Sequence, residues 1–420
     1  MTHAPIRAGL APDDATPATP SFFAPPARSG LGAVATALAL LMRAAPVAAQ
    51  TPPVPVSAES LRAGLFAIAD DSMGGRATGS VGDAKAADWV AAAFRRHGLE
   101  PAGEDGSFFQ ALPIVSSWRD EISSAARRPV RNVIAILRGT DPLLDHTYVS
   151  LSAHNDHIGT MHGSVDHDSV RAFNLVVRPM GADSPRRPAT PEEEVRIRAI
   201  LDTLRAAHPP RRDSIFNGAD DDGSGTVLLV ELARVLSEGA RPRRSILFVS
   251  HAAEEIGLNG SEYFTDHPTV PRDSLVAERD MDMVGRGGGS DLPGGGPGYL
   301  ELVGSRRLST EFGGIIDSIG RREPVPFRFN YAYDAPGNPL QYYCRADHYS
   351  YARYGIPSAS LSTGEHLDYH QVTDEPQYID YHQLARVTAL VRDVALAVGN
   401  LDHRPVVDGR RQDPTAPCVQ

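Results

Sequence analysis

Three consecutive aspartates, Asp220 to Asp222, lie in the segment GADDDGSG and are followed at once by an apolar helical pattern. A bound metal ion is one reason to concentrate carboxylates there. Counted from Asp220, the segment has Asp at positions 1 and 3, Gly225 at position 6 and Glu231 at position 12, which is close to the calcium loop of an EF-hand. The alternative is a carboxylate ligand for a transition metal whose other ligands come from elsewhere in the chain.

The residues around these aspartates favour the transition metal. An EF-hand needs an entering helix, and the turn-forming residues Pro209, Pro210 and Asn217-Gly218 disfavour a helix before Asp220. The ninth position of the calcium loop would be Leu228, which belongs to the apolar face of the following helix.

The composition excludes several other kinds of chemistry. The chain has 420 residues, of which 41% are hydrophobic and 22% charged, enough for one large or two ordinary globular domains. Its net charge of −11 disfavours a nucleic-acid partner held through phosphates. Lys85 is the only lysine, and neither a Walker motif, a GxSxG elbow nor a CxxC pair occurs. Acid–base and metal chemistry by Asp, Glu and the 15 histidines remain.

The N-terminal segment has the pattern of an export signal. Arg28 precedes the apolar run Gly30–Met42, which is too short to span a bilayer, and small residues lead to a predicted cleavage site near Ala49. Residues 1–49 are therefore predicted to be a signal peptide with a long n-region; a downstream start or an uncleaved anchor would also account for its length. We expect the mature protein to be exported to the periplasm or the medium without stable membrane insertion.

The chain contains two cysteines, Cys344 and Cys418. Export permits a disulfide between them. Cys418, however, lies in residues 401–420, a C-terminal tail that we expect to be mobile. A bridge and two free thiols therefore both remain open.

Strand and helix patterns alternate along the rest of the chain. Short apolar runs predict buried strands at Asn132–Leu137, Thr147–His154, Ser245–Ser250 and Tyr299–Gly304. Helical periodicity predicts helices at Thr226–Ser237, Ser309–Arg321 and Tyr381–Val398. The alternation indicates one α/β layered domain, residues 50–400, around a mostly parallel sheet. Residues 166–214 are polar around one helical pattern and predict a surface insertion.

Histidines and carboxylates follow the predicted strands where these end. The carboxyl ends of parallel strands meet at one edge of a sheet, where ligands bind. The clusters are His154, Asp156 and His157; His251, Glu254 and Glu255; Asp280 and Asp282; and Glu365, His366, Asp368, His370 and Asp374. Each alone could be an ordinary solvated loop. Together, their mixture of imidazole and carboxylate groups favours zinc or a related metal over calcium.

Five motifs in order resemble one enzyme family. They are SAHNDH, GADDDGSG, AAEEIGLNGSEYF, DMDMVG and DHYSYARYGIPSASLSTGEHLDYHQVTD. Their order and approximate spacing are similar to those of the M28 family of zinc-dependent exopeptidases, over roughly Ser57 to Leu396. The resemblance implies a three-layer α/β/α sandwich on a mixed, mostly parallel sheet, with two zinc ions at the strand ends.

The resemblance also implies a ligand set. His154 and Asp282 would hold one zinc ion. Glu255 and His370 would hold the other, and Asp221 would bridge the two ions.

Further roles follow from the same motifs. Glu254 would be the general base, Asp156 would orient His154, and a cis peptide would join Asp221 to Asp222. No role is implied for Asp220, which we expect to be solvated.

The resemblance is weaker in the substrate pocket. His366, Asp347 and His348 are expected there as possible pocket residues, with a hydrogen-bonding role as the alternative for His366. Ala346 replaces the usual Ser of the family's SDH segment, which leaves the role of that segment open.

A secreted aminopeptidase that acts on peptides is the activity that the sequence favours. A glutaminyl-cyclase-like enzyme, which resembles a one-zinc variant of the fold, is the alternative from another class. Carboxypeptidase or dipeptidase activity also fits the fold. A non-catalytic ectodomain should have lost ligands, whereas this chain retains all five and the base.

Overall fold

The computed structural model describes residues 53–113, 128–207, 209–289, 291–292 and 294–420. Residues 1–49, the predicted export signal, lie outside the described residues. The described strands are β1 (Glu100–Pro101), β2 (Phe109–Ala111), β3 (Arg131–Leu137), β4 (Tyr148–His154), β5 (Thr160–Asp166), β6 (Arg212–Ile215), β7 (Ser245–His251), β8 (Leu275–Met281), β9 (Tyr299–Val303), β10 (Arg328–Asn330) and β11 (Ser358–Ser362). The described α-helices are α1 (Ala58–Ile68), α2 (Val81–Arg96), α3 (His167–Val177), α4 (Pro191–Ala207), α5 (Gly225–Glu238), α6 (Asn259–Asp266), α7 (Thr310–Gly320), α8 (His348–Ala352) and α9 (Tyr381–Gly399). None of these described helices combines the length and the apolar character needed to cross a membrane.

Nine of the described strands form one mixed sheet in the order β1-β3-β7-β4-β8-β11-β9-β10, with β2 paired to β3. The four central strands, β7, β4, β8 and β11, run parallel. On either side of them, β3 pairs antiparallel with β7 and β9 pairs antiparallel with β11. The predicted mixed α/β sheet is confirmed, and its parallel pairing is concentrated at the centre. The carboxyl ends of the central strands therefore meet at one edge, where the loops after them can build a common site.

Side chains on the sheet point alternately into two apolar layers, as the period of a strand requires. On β3, Val133 and Ala135 pack in the core that contains α1, α2, α5, α7 and α9. Ile134, between them, packs on the opposite face with Phe264 of α6 and Tyr351 of α8. Helices thus cover both faces of the sheet, which gives the three-layer sandwich.

Local sequence determines where the helices beside the site begin. The hydroxyl of Ser57 caps α1 and that of Ser80 caps α2, as expected for N-cap serines. Helix α5 begins at Gly225, where a Cβ would lie 2.0 Å from the carbonyl oxygen of Met281. Only glycine therefore permits α5 to start so close to the end of β8.

Residues 166–214 contain two helices that differ in their packing. Helix α4 buries none of its residues, in keeping with its polar sequence. Helix α3 was not predicted, and it packs against the body of the protein mainly through polar groups: Asn174 Nδ2 donates to the carbonyl oxygen of Leu367 at 3.0 Å, and Arg171 Nη1 donates to Asp368 Oδ2 at 2.5 Å. These contacts join residues 193 and 197 positions apart, so the sequence of the segment alone does not show them.

The C-terminal tail is anchored to the body, which corrects the expectation of a mobile tail. Cys344 and Cys418 form a disulfide, so of the two alternatives the bridge is the one observed. The side-chain amide of Gln420 accepts a hydrogen bond from the backbone N–H of Tyr343 at 2.8 Å and donates to the carbonyl oxygen of Tyr333 at 3.1 Å. These contacts fix the tail beside the segment that carries Cys344.

Candidate metal centre

The candidate site lies at the edge of the sheet where the central parallel strands end. Strand β4 ends at His154, β7 ends three residues before Glu254, and β8 ends directly before Asp282. The segment before α5 brings Asp221 to the same place, and the segment after β11 brings His370. The topology thus gathers side chains that are far apart in the sequence.

One group of four side chains could hold a metal ion: His157, Asp221, Glu255 and His370. Their potential ligand atoms all lie within 4.8 Å of one another. His370 Nε2 lies 2.9 Å from Asp221 Oδ2 and 3.0 Å from Glu255 Oε2. His157 Nδ1 lies 2.6 Å from the other oxygen of Glu255.

A second group, His154, Asp221 and Asp282, shares Asp221 with the first. His154 Nε2 lies 3.3 Å from Asp221 Oδ1 and 3.6 Å from Asp282 Oδ1. One oxygen of Asp221 therefore faces His154, while the other faces His370. A carboxylate with its two oxygens directed into two ligand groups has the arrangement of a bridging ligand.

The residues of both groups fit a transition metal. Both ring nitrogens of His154 and the Oδ1 atom of Asp282 are buried without a hydrogen-bond partner among the described residues. Such orphaned polar atoms are rare in folded proteins because they lose their hydration without replacement. Imidazole nitrogens and carboxylate oxygens are the ligands that zinc takes in hydrolytic enzymes.

The electrostatics of the cluster favour the binding of a cation. Burial opposes ionisation of His154, but the surrounding carboxylates, with Glu254 first, raise its pKa well above the ordinary value. His370 is similar: burial opposes its charge, but its contacts with Asp221 and Glu255 raise its pKa to about 11. Burial raises the pKa of Asp282. A bound cation would compensate these carboxylates in place of protons.

Glu254 stands beside the second group without belonging to it. Its Oε2 atom lies 3.9 Å from His154 Nε2, and 12% of its side chain is exposed. Behind it, Asp156 accepts a hydrogen bond from the backbone N–H of Glu254 at 3.1 Å, and the same oxygen lies 3.7 Å from His154 Nδ1. The other oxygen of Asp156 accepts a hydrogen bond from the hydroxyl of Thr78 at 2.7 Å. Asp156 thus connects Glu254, His154 and the segment between α1 and α2 that carries Thr78.

Buried charged residues hold the aspartate segment in place. Asp222, joined to Asp221 by a cis peptide bond, accepts the backbone N–H of His154 at 3.2 Å. Asp374 accepts the backbone N–H of Asp221 at 3.1 Å. Arg76, fully buried, donates to three carbonyl oxygens of the neighbouring segments, those of Asn155, Asn217 and Gly218.

The expectation that Asp220 is solvated is wrong. Asp220 is fully buried, its Oδ1 atom accepts the backbone N–H of Gly285 at 2.6 Å, and its Oδ2 atom lies 3.2 Å from His366 Nε2. The calcium alternative fails as well, because Glu231 does not face the aspartates. It accepts the backbone N–H of Ser57 at 2.7 Å, at the start of α1.

A cleft that is partly open to solvent leads to the candidate metal ligands and to Glu254. Beyond them its wall includes Met283, Glu301, Tyr342, Arg345, Ala346 and Glu365.

The three possible pocket residues from the sequence do not line this cleft. His366 and His348 are 0% exposed and Asp347 is 1% exposed. They lie beneath the wall, where His366 supports Asp220 and His348 packs edge-on against the ring of Tyr343, with 5.3 Å between the ring centroids.

His157 is the residue of the metal groups to which the sequence analysis gave no role. It is fully buried and contributes its Nδ1 atom to the group around Glu255. A signal was present, since the SAHNDH motif has a second histidine directly after Asp156. The ligand set implied by the family resemblance did not include that position.

The model of peptidase family M28 matches residues 132–395, which is more than half of the 420-residue chain. Leucine aminopeptidase 1 of Paracoccidioides brasiliensis is 34% identical over 196 residues, which cover 43% of this chain and 47% of that protein. The chain spans less than half the length of the curated relatives it matches.

Solved structures show the same fold at low sequence identity. A zinc aminopeptidase from Bacillus subtilis superposes with a TM-score of 0.51 at 14% identity, covering 84% of this chain and 98% of that one. Bacteroides thetaiotaomicron glutaminyl cyclase superposes with a TM-score of 0.53 at 17% identity, covering 82% and 99%.

Proposed function

Since the chain belongs to peptidase family M28, we propose that it is an exported two-zinc aminopeptidase that hydrolyses the first peptide bond of peptide substrates. The observation that carries the proposal is the pair of ligand groups that share Asp221. One zinc ion would be held by His154, Asp221 and Asp282. The other would be held by Asp221 with Glu255, His370 and the adjacent His157.

When bound, two zinc ions polarise a scissile carbonyl and lower the pKa of a water molecule towards neutrality. The protein contributes the proton transfers. Glu254, whose carboxylate is reachable from the cleft, accepts the proton of the attacking water and passes it to the leaving amine. The adjacent Glu255 cannot take this part, because both of its oxygens contact histidines of the ligand group.

Asp156 positions both the proposed base, Glu254, and the proposed zinc ligand His154. It accepts the backbone N–H of Glu254 and faces the ring of His154 from behind. A carboxylate behind a metal-binding histidine fixes the orientation of the ring and raises its basicity. Its contact with Glu254 further fixes the distance between base and ligand.

The glutaminyl-cyclase alternative differs in its metal content. Such enzymes resemble a one-zinc variant of the fold, whereas this chain has a candidate ligand group on each side of Asp221, which supports two zinc ions. A count of zinc ions per chain therefore separates the two functions.

The decisive experiment uses the zinc-loaded full chain. We expect about two zinc ions per chain by mass spectrometry, hydrolysis of leucine p-nitroanilide, and no hydrolysis of its N-acetylated form. Equal turnover of the free and acetylated substrates would contradict an aminopeptidase. A single zinc ion with cyclisation of N-terminal glutamine would establish the alternative.

Export is a separate part of the proposal and rests on the sequence pattern of residues 1–49. The mature N-terminus should lie near Gln50. Mass spectrometry of protein recovered from the periplasm or the medium would measure it, and a full-length, membrane-bound chain would contradict it.

A further inference from the structure

The cleft continues past the metal ligands to two acidic side chains, Glu301 and Glu365, that the proposed chemistry does not use. Glu301 lies on β9, where it is opposite Ser362 of β11, and β11 in turn pairs with β8, which ends before Asp282. Neighbouring strands lie about 4.8 Å apart. The backbone of Glu301 is thus two strands, or about 10 Å, from the strand that leads to the metal ligand Asp282.

Glu301 is fixed in place with one oxygen left without a donor. The residue is 1% exposed, and its Oε1 atom accepts a hydrogen bond from the hydroxyl of Tyr299 at 2.8 Å. Its Oε2 atom has no hydrogen-bond partner among the described residues. Gly364 provides the space for this carboxylate, because a Cβ at that position would lie 2.5 Å from Oε1. A buried carboxylate oxygen without a donor is costly, which indicates a ligand group that donates to it.

Glu365 faces the same cleft, and the guanidinium group beside it, that of Arg345, already binds other residues. Its carboxylate contacts the hydroxyl of Tyr342, and its Oε1 atom lies 3.8 Å from Arg345 Nη1. Arg345 donates from Nη1 to Asp183 at 2.8 Å and from Nη2 to the hydroxyl of Tyr369 at 3.2 Å. The charge of Arg345 is therefore paired mainly with Asp183 at 2.8 Å, and its 3.8 Å contact with Glu365 is the weaker one.

The two carboxyl groups would gain from a cation between them. Burial raises the pKa of Glu301 to about 7. Burial, and after it repulsion by Glu301, raises the pKa of Glu365 to about 8. A positive group near both would offset the cost of burying their charges and the repulsion between them.

We propose that Glu301 and Glu365 form a subsite for the ammonium or guanidinium group of the substrate's first side chain, so that the enzyme favours N-terminal lysine and arginine. The proposal rests on the proposed aminopeptidase function, since only then is the first residue held beside the metal ligands. Lysine and arginine carry their charge at the end of a long unbranched stem, which suits a subsite remote from the metal centre. The side chain of leucine is too short to reach this subsite.

The test compares the zinc-loaded full chain on paired substrates of similar shape: arginine and citrulline p-nitroanilides, and lysine and norleucine p-nitroanilides. We expect kcat/KM to be at least about tenfold higher for each charged member, since hydrogen bonds to charged groups are among the stronger ones. Glu301→Gln and Glu365→Gln should each lower the arginine-to-citrulline ratio towards one. Glu192→Gln, an exposed carboxylate on α4, is the matched control and should leave the ratio unchanged.

Each outcome decides the inference. Ratios near one for the unmodified protein would overturn it, even if a variant failed to fold. If Glu301→Gln lowered the values for arginine and citrulline by the same factor, the carboxylate would serve the α-amino group or the fold, and the inference would also be overturned. Failure to hydrolyse any of the four substrates would instead contradict the proposed function itself.

Discussion

Glu254 and Glu255 are adjacent, and we expect different losses when each is changed to glutamine: activity alone for Glu254, and bound zinc for Glu255. Glu254→Gln keeps the size of the side chain and removes its ability to accept a proton. Among the described residues, the ion-pair contact of the Glu254 carboxylate is with His154, whose Nε2 atom lies 3.9 Å away. The substitution should therefore leave folding and zinc content unchanged.

The expected loss is in kcat. Removal of a general base costs about 10²- to 10⁴-fold, which corresponds to about 2.7–5.4 kcal/mol of transition-state stabilisation. Glu255→Gln makes the same chemical change one residue later, where both carboxylate oxygens contact histidines at 2.6 and 3.0 Å. Here we expect the loss of about one zinc ion per chain, with activity lost as a consequence.

The assay combines zinc content after dialysis with kinetics on leucine p-nitroanilide, for both variants and the unmodified chain. Loss of zinc from Glu254→Gln with retention by Glu255→Gln would show that the two roles are exchanged. If Glu254→Gln retained kcat within about threefold, well short of the loss that a missing general base causes, it would not be the base. Full activity in both variants would refute the hydrolytic mechanism.

Three further predictions concern residues outside this pair. His157→Ala should weaken binding of the zinc ion beside Glu255 by about 10- to 100-fold, measured by competition with a chelator; unchanged affinity would remove His157 from the site. Asp166 caps α3 and its pKa is held at about 2, chiefly by the hydroxyl of Ser169. Because the folded-state pKa lies below the ordinary 3.8, the ionised carboxylate stabilises the folded state. Asp166→Ala should therefore lower the free energy of unfolding by about 0.5–2 kcal/mol at pH 7, and this difference should shrink as the pH falls from about 4 to about 2. Denaturant unfolding at several pH values measures the difference, and a difference that stays constant with pH would contradict the reasoning. Reduction of the Cys344–Cys418 bridge should lower the free energy of unfolding by about 2–5 kcal/mol, measured by denaturation with and without reductant, and an unchanged midpoint would contradict it.

The family, the layered fold and the class of enzyme could be predicted because they depend on short-range patterns. Apolar runs predict two of the four central strands, β4 and β7, and the motifs SAHNDH and AAEEIGLNGSEYF stand where these two strands end. The structure brings His154, Asp221 and Asp282 together at this edge. Their roles as zinc ligands remain predictions.

The cleft wall could not be predicted, because its residues carry no comparable pattern. Glu301 lies inside the apolar strand β9, and its sequence alone does not show that this position faces a cleft. Asp347 and His348 were expected there on the basis of a matching segment, but Ala346 lines the cleft and these two side chains do not. Contacts between distant segments decide such positions, and one sequence does not record them.

The ligand groups and the cleft wall around Arg345 are held by contacts from different segments of the chain. Asp156, Asp222 and Asp374 hold the proposed metal ligands, and all three lie in the segment that the family model matches. Arg345, in contrast, is held by Asp183 from the insertion, and the disulfide of the preceding residue, Cys344, reaches Cys418, which lies beyond the matched segment. The proposed subsite and the proposed metal ligands therefore depend on separate sets of contacts, and we expect the wall of the cleft to tolerate changes that leave the ligand groups in place.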